Sequence, residues 1–326
     1  MLNRRHALIA TASTVTGFAS GAAWAQSSKN ITRLLVGFPP GGTVDVLARA
    51  ISQRLSKDSA SVIVENKPGA GGRLAVVETK NAPADGKTVL MTADPILVMY
   101  PHIFKNIAYN TLTDITPVIP LASDPCCLVV GPLVPDSVKT LADFIAWCKK
   151  YPAQASYATA AAGTTMHFLG VLLARDADMS FTHIPHRGGV AAVQDVMGGQ
   201  IASSMTTVGQ VFPFLAAGKL RVLALSSEAR LARLPNVPTF AELGFKQVQA
   251  SVYYGAYVRS GTPPALVQQL SDTFQAVAKT PEMLATLDKL ALDPFTLSTE
   301  KFAERVKADL AHWGPIIQRS GYSVDD

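Results

Sequence analysis

The clearest pattern of apolar and polar positions in this 326-residue chain lies near its start, over residues 31–55. Residues 31–38 form a short apolar run that ends at Pro39 and Pro40, which predicts a strand covered on both faces. Apolar residues then recur at steps of three and four, at Val44, Leu47, Ile51 and Leu55. This spacing predicts an amphipathic helix directly after the strand.

The turn between this strand and this helix has features of an anion site. Gly41 and Gly42 allow the backbone to approach a ligand closely, Thr43 can cap the first helical turn, and Asp45 lies beside its positive end. The free N–H groups of a helix N-terminus bind a carboxylate or phosphate without a charged side chain. An ordinary strand-to-helix turn is the alternative interpretation, and this segment alone favours neither.

Strand and helix patterns alternate along most of the chain, which predicts an α/β fold with a mostly parallel sheet. Strands are predicted at residues 62–65, 88–92, 155–159, 181–184, 220–225 and 249–258, and helices at 73–80, 141–150, 164–174, 191–197, 264–278, 281–290 and 299–318. An extended segment at 118–130 crosses between two lobes in this interpretation, and 249–258 returns to the first. We therefore predict lobe 1 at 26–124 and 251–326, lobe 2 at 125–250, and a hinged cleft between them.

The first 25 residues have the pattern of a secretory signal peptide. Arg4 and Arg5 precede an uncharged stretch that ends in Ala23-Trp24-Ala25, which predicts cleavage after Ala25 and a periplasmic location. The arginine pair is compatible with both general secretory and twin-arginine export.

Charge and cysteine content limit the partners of the remaining chain. The formal net charge is +5 for the whole sequence and +3 without residues 1–25, and the excess is scattered, so nucleic acid is not an expected partner. Cys126, Cys127 and Cys148 give no disulfide framework. Buried thiols are the expectation, with a disulfide between the two adjacent cysteines as the alternative.

The residue spacing in this chain does not match the catalytic and cofactor-binding motifs that it partly resembles. A dinucleotide motif after Gly69 and Gly71 would need glycine at Leu74, and a P-loop ending at Thr88 would need glycine at Asn81. His183 and His186 form an H-x-x-H pair without clustered Cys, Asp or Glu. We predict no metal, no cofactor and no catalytic residue, and therefore a protein that is not an enzyme.

A second segment has the same design as the first. The predicted strand at 155–159 leads through small residues at 160–163 into Thr164 and the start of a helix. If the lobes face each other, both turns direct N–H groups into one cleft and enclose a carboxylate by hydrogen bonds. His167, in the first turn of this helix, faces the cleft or packs locally.

Eight stretches, in order along the chain, resemble one family. They are FPPGGTVDVLAR (38–49), VENKPGAGG (64–72), ADGKTVLM (84–91), GTTMH (163–167), HIPHRGG (183–189), GGQI (198–201), AGKLRVLAL (217–225) and LPNVPTFAELG (234–244). Together they resemble the Bug-type receptors, the periplasmic substrate-binding proteins of tripartite tricarboxylate transporters.

The resemblance implies a monomeric two-lobed periplasmic binding protein, type II-like, that closes on a carboxylate and presents it to a membrane permease. The positions that it implies for the ligand are Phe38, Gly42, Thr43, Asp45 and Thr92 in lobe 1, Thr159, Gly163 and Thr164 in lobe 2, and His186, Arg187, Thr206 and Thr207 at the far end of the ligand. His167 is a further candidate, and Tyr254 either lines the cleft or packs behind it.

Two departures from the family pattern concern the ligand. His186 stands where members of the family commonly have tyrosine, and Thr206 stands where several have an aspartate that would pair with a ligand ammonium group. We therefore expect a second carboxylate or a polar oxygen at the far end, as in an aliphatic or aromatic dicarboxylate such as terephthalate, or in a tricarboxylate. Ligand sensing for a sensor kinase is the alternative to transport.

Overall fold

The computed structural model describes residues 32–57, 61–186 and 188–325, so the predicted signal peptide and Arg187 lie outside the described residues. The strands are Thr32–Val36 (β1), Val62–Asn66 (β2), Thr88–Ala93 (β3), Ile115–Val130 (β4), Ser156–Thr159 (β5), Thr182–Pro185 (β6), Ser203–Thr207 (β7), Arg221–Leu225 (β8), Ser251–Arg259 (β9) and Asp293–Pro294 (β10).

The helices are Thr43–Lys57 (α1), Arg73–Asn81 (α2), Pro95–Val98 (α3), Tyr100–Ile103 (α4), Thr111–Asp114 (α5), Leu141–Lys150 (α6), Thr165–Asp176 (α7), Gly189–Met197 (α8), Val208–Leu215 (α9), Pro264–Ala278 (α10), Pro281–Lys289 (α11) and Thr299–Ser320 (α12). A 3₁₀ turn at Ala70–Gly72 precedes α2.

The strands form a mixed sheet in the order β2-β1-β3-β9-β4-β7-β5-β6, with β8 and β10 also paired to β4. The pairs β1–β2, β1–β3, β5–β6 and β5–β7 are parallel, whereas β9 and β4 run antiparallel to their neighbours. The predicted α/β fold is confirmed. The parallel strands at either end are those connected by helices, because a parallel pair needs a long crossover connection.

Strand β4 joins the two ends of the sheet. Its first part, up to Pro125, pairs with β9, and its last part, from Cys126, pairs with β7 on one side and β8 on the other. The sequence shows two apolar runs separated by Ser123, Asp124 and Pro125, yet the strand is continuous. The lobe boundaries at 124/125 and 250/251 stay a prediction.

Two apolar cores cover the sheet. The larger core includes the apolar residues of β1, β3, the first part of β4 and helices α1, α7 and α12, and a smaller one surrounds Cys127, Val129 and helix α8. All three cysteines are free and buried, as expected, and burial raises the pKa of the Cys148 thiol to about 12. In the described part of the chain, no helix is long and apolar enough to cross a membrane.

Candidate functional site

A cavity of about 440 Å³ lies where the starts of α1, α7 and α9 approach the central strands. Its lining is Phe38, Pro39, Pro40, Gly42, Thr43, Val44, Ala93, Pro95, Ile96, Tyr100, Thr164, Thr165, Met166, Thr207, Gln210, Val252 and Tyr254. Six of the predicted site residues are among them, and none of the lining residues that the structure describes carries a charge.

The first turn is held by a buried carboxylate. Asp45, only 1% exposed, accepts hydrogen bonds from the Gly41 N–H (2.8 Å), from Arg49 Nε (2.8 Å) and from Asn66 Nδ2 (2.8 Å). Asn66 Nδ2 also donates to the Phe38 carbonyl (3.0 Å), which ties the turn to the end of β2. Asp45 therefore lies behind the cavity and fixes the turn in front of it.

Burial alone would raise the pKa of Asp45, but the hydrogen bonds from Arg49, Gly41 and Asn66 outweigh burial and lower it below its usual value. The carboxyl group is ionised at neutral pH. The sequence assigned the helix cap to Thr43, but Gly42 holds that position, because its carbonyl accepts the first helical bond from the Val46 N–H (2.9 Å). Thr43 and Val44 follow as first-turn residues, whose N–H groups have no acceptor within a helix.

In the second turn, the residue that the sequence placed first in the helix is its cap. Thr164 is the N-cap of α7, since its Oγ1 accepts from the His167 N–H (3.3 Å) and donates to the Ala161 carbonyl (3.0 Å). The N–H of Gly163 donates to His167 Nδ1 (3.2 Å), so this donor is used inside the protein. The first-turn N–H groups next to the cavity are those of Thr165 and Met166.

Two stacked histidines support this second turn from behind. The rings of His167 and His183 lie 4.0 Å apart, and His183 Nε2 lies 2.7 Å from Thr159 Oγ1. Thr159 donates its proton to the Ala161 carbonyl (2.8 Å), so it accepts from His183. Burial lowers the pKa of both histidines to about 4, and both rings are neutral at pH 7.

Strand β9 forms the floor of the cavity. Side chains alternate along a strand, so Val252 and Tyr254 line the cavity while Tyr253 packs on the other face against Phe295 and Phe302. The buried Tyr254 phenol interacts with the Thr43 side chain, and burial raises its pKa well above the usual value. Thr92 is buried beside lining residue Ala93, and its hydroxyl has no hydrogen-bond partner in the described structure.

The remaining wall comes from β7 and α9, which the sequence analysis did not predict. Thr207, the N-cap residue of α9, and Gln210 line the cavity. Thr206 does not line it; its buried hydroxyl donates to Gln210 Oε1 (2.9 Å). Gln210 is thus a lining residue that sequence reasoning missed. It would have been a candidate if the short helix that carries it had been predicted.

Of the two other far-end candidates, His186 lies away from the lining. Its Nε2 lies 2.8 Å from Asp195 Oδ2 and its Nδ1 lies 3.2 Å from the Ile184 carbonyl. Arg187 is outside the described residues. The H-x-x-H pair is also divided between separate partners, and among the residues that the structure describes no three His, Cys, Asp or Glu are placed to hold a metal ion.

A buried carboxylate links β4 to α9 beneath this wall. Asp124 Oδ1 accepts from the Gly209 N–H (3.1 Å) in the first turn of α9. The Thr207 hydroxyl lies near this carboxyl group, although it does not meet hydrogen-bond geometry. Burial raises the pKa of Asp124 to about 7, despite the opposing effects of Thr207 and Gly209.

Residues 46–322 match the family described as "Tripartite tricarboxylate transporter family receptor". The chain is 33% identical to the "UPF0065 protein in gbd 5'region" of Cupriavidus necator over 98% of both chains, and 29% identical to protein BugT of Bordetella pertussis over 89% of both. Among solved structures, R. palustris Rpa4515 with adipate is similar, with a TM-score of 0.79, 28% identity, and coverage of 91% of this chain and 99% of that one.

These similarities confirm the resemblance seen in the sequence. The two-lobed architecture is that of the periplasmic binding proteins, and both family and fold are those of transport receptors rather than enzymes. The chain belongs to the receptor family of the tripartite tricarboxylate transporters, as a Bug-type, TctC-like member.

Proposed function

We propose that this protein captures a carboxylate in the periplasm, after cleavage of the signal peptide near Ala25, and delivers it to a tripartite transporter permease. The observation that supports this most strongly is that the first turns of α1 and α7 border one cavity. Thr43 and Val44 on one side and Thr165 and Met166 on the other offer backbone N–H donors. Two helix dipoles add to the attraction of an anion there.

The walls of the cavity favour a ligand with an apolar body. Phe38, Pro39, Ile96 and Val252 contribute apolar surface, and the polar atoms are hydroxyls, one amide and backbone groups. We therefore propose an aliphatic or aromatic dicarboxylate in preference to a compact tricarboxylate such as citrate. The structurally similar R. palustris protein holds adipate, which is a ligand of this kind.

The remaining predicted residues then divide into two roles. Thr43, Thr164 and Thr207 contact the ligand directly, with Phe38 and Tyr254 against its body. Asp45, Thr159, Gly163 and His167 hold the turns in position from behind. Thr207 lines the cavity and its hydroxyl has no hydrogen-bond partner in the described structure, which suits it as a ligand contact, whereas Thr92 lies outside the lining.

The test is ligand binding by the mature chain, residues 26–326. Thermal unfolding with adipate, terephthalate and citrate, each compared with its methyl ester, separates recognition of the charged carboxylate from that of the body. At a ligand concentration of 100 times Kd, binding stabilises the folded state by roughly 2.7 kcal/mol. Failure of every carboxylate to raise the melting temperature would contradict the proposal.

A matched pair of variants tests the backbone donors. Thr165→Pro removes one N–H at the first position of α7, where proline is well tolerated, and Thr164 before it already has the extended backbone that proline demands (φ −95°, ψ 164°). Thr165→Val changes the same side chain and keeps the N–H. We expect roughly tenfold weaker carboxylate binding in Thr165→Pro only. Equal affinities would exclude this N–H as a ligand donor.

Transport and sensing differ in the partner that the loaded receptor meets. Uptake of the ligand by cells should require both this receptor and a permease. Ligand-dependent gene expression that persists without the permease would favour a sensor kinase instead.

A further inference from the structure

We propose that Gln210 selects the second polar group of the ligand by donating a hydrogen bond from its amide nitrogen to an oxygen acceptor. This inference rests on the carboxylate site of the proposed function. It concerns the other end of the ligand, away from the carboxylate that the helix starts bind. Gln210 is the only amide side chain among the described lining residues, and it stands in the first turn of α9.

The amide has a defined direction. Thr206 is buried, and its hydroxyl donates to Gln210 Oε1 at 2.9 Å. This bond uses one of the two acceptor positions of Oε1, whereas the two N–H donors of Nε2 make no hydrogen bond to the residues that the structure describes. A ligand group that uses these two free donors must accept a hydrogen bond.

Close packing against α8 restricts the amide further. A Cβ atom built on Gly189 would lie 1.5 Å from Gln210 Oε1, 2.2 Å from Cδ and 2.6 Å from Nε2. No side chain at position 189 is compatible with this placement. The glycine at the start of α8 therefore provides the space in which the Gln210 amide lies.

Because the rest of the described lining carries no charge, the Gln210 amide has a strong influence on which second polar group the ligand can have. No lysine, arginine, aspartate or glutamate there competes with it for the second polar group. An amide N–H attracts a carboxylate or carbonyl oxygen and offers nothing to an ammonium group, which has donors only. Thr206 thus acts on the ligand through Gln210 and not by direct contact.

The experiment compares ligands that share a first carboxylate and differ at the other end. Adipate, hexanoate and 6-aminohexanoate present a carboxylate, a methyl group and an ammonium group, and terephthalate and 4-methylbenzoate form an aromatic pair. Calorimetry on the mature wild-type chain should give adipate or terephthalate roughly tenfold higher affinity than its methyl counterpart, with 6-aminohexanoate weakest.

Four variants locate the effect. Gln210→Leu should remove most of the preference for the second oxygen while leaving the methyl-ended ligand within about threefold of wild type. Gln210→Glu should reverse the preference towards 6-aminohexanoate, because it replaces a donor with a charged acceptor. Thr206→Val frees the amide oxygen, and Gly189→Ala displaces the amide, so both should reduce the preference by a smaller factor.

The outcomes separate this inference from the proposed function. Carboxylate binding by the wild type with the same ligand ranking in Gln210→Leu and Gln210→Glu would overturn the role of Gln210 and leave the proposed function standing. A wild-type chain that binds none of these carboxylates would overturn both. Circular dichroism of each variant excludes misfolding as the cause of a change.

Discussion

The turns before α1 and α7 present equivalent helix starts to the cavity, yet different chemistry holds each in shape. The first depends on an ionised carboxylate, Asp45, which collects three hydrogen bonds from its surroundings. The second depends on neutral groups, with His167 bonded to the Gly163 N–H and His183 bonded to Thr159. A similar backbone shape has thus been reached with a charged support in one case and an uncharged one in the other.

This difference shows which property the site preserves. The charge of Asp45 is compensated by Arg49 behind the turn, and the histidines remain uncharged. In both cases the backbone N–H groups that border the cavity are the first-turn donors, and no supporting side chain adds a net charge next to a ligand. The difference also predicts that the two turns respond differently to mutation and to acid.

The largest expected effect is the loss of the charged support. Asp45→Ala leaves Gly41, Asn66 and Arg49 without their shared acceptor, and we expect a loss of about 3 kcal/mol in the free energy of unfolding. Thr159→Val, which removes the corresponding hydroxyl in the second turn, should cost about 1–2 kcal/mol. Urea unfolding at pH 7 measures both values.

Arg49→Gln is the control for this comparison. Its side chain is 48% exposed, so the ion pair with Asp45 is screened by solvent, and its loss should cost less than either Asp45→Ala or Thr159→Val. A larger loss of unfolding free energy in Thr159→Val than in Asp45→Ala would contradict the idea that the charged support contributes more than the uncharged one.

Acid should act on the second turn first. His167 and His183 have pKa values of about 4 in the folded chain and 6.5 ordinarily, so the unfolded chain takes up protons first as the pH falls. Their contribution to stability is complete above pH 6.5 and is lost towards pH 4, by on the order of 3 kcal/mol for each histidine. Asp45, with a lowered pKa, loses its contribution only below about pH 4.

The measurement is the difference in unfolding free energy between wild type and a His167→Phe, His183→Phe double variant, from pH 7 to 4.5. The difference is needed because Asp124, whose pKa is raised to about 7, changes stability in the opposite sense over this range. A gap between the two proteins that is independent of pH would show that the histidines do not titrate as expected.

The smallest expected difference between the two turns concerns their glycines. Gly41 and Gly163 both have positive φ, +87° and +73°, but a Cβ on Gly41 meets nothing within 4 Å, whereas one on Gly163 lies 3.3 Å from Ile103 and Tyr322. We expect Gly41→Ala to cost about 1 kcal/mol for the backbone alone and Gly163→Ala about 2 kcal/mol. Equal costs in urea unfolding would mean that the neighbours of Gly163 move aside.

The sequence predicted those elements whose apolar positions follow a simple period. Strands β1, β3 and β5 and helices α1, α7, α10 and α12 lie within a few residues of their predicted bounds. Strand β7 was missed because its sequence, SSMTT, looks polar although all five residues are buried. The hydroxyls of Ser203 and Ser204 donate to the Ser156 and Ala158 carbonyls of the neighbouring strand β5, so both side chains are hydrogen-bonded inside the sheet.

The candidate site was predictable only where local sequence motifs form it. Local motifs identify the two turns, since Gly41, Gly42 and Thr164 act through the backbone next to them. Gln210 depends on Thr206 and Gly189, which no local pattern connects, and α9 contains Pro213, which argues against a helix. The partner of His186, Asp195, was likewise visible only in three dimensions.

Strand β4 also has a consequence for biogenesis. Its residues Ile115 and Pro125 pair with Arg259 and Ser251, so the centre of the sheet is complete only after most of the chain has been synthesised. Pairing over such sequence separations slows folding, because a long loop must close first. A nascent chain of this design therefore cannot complete its central sheet until late in synthesis.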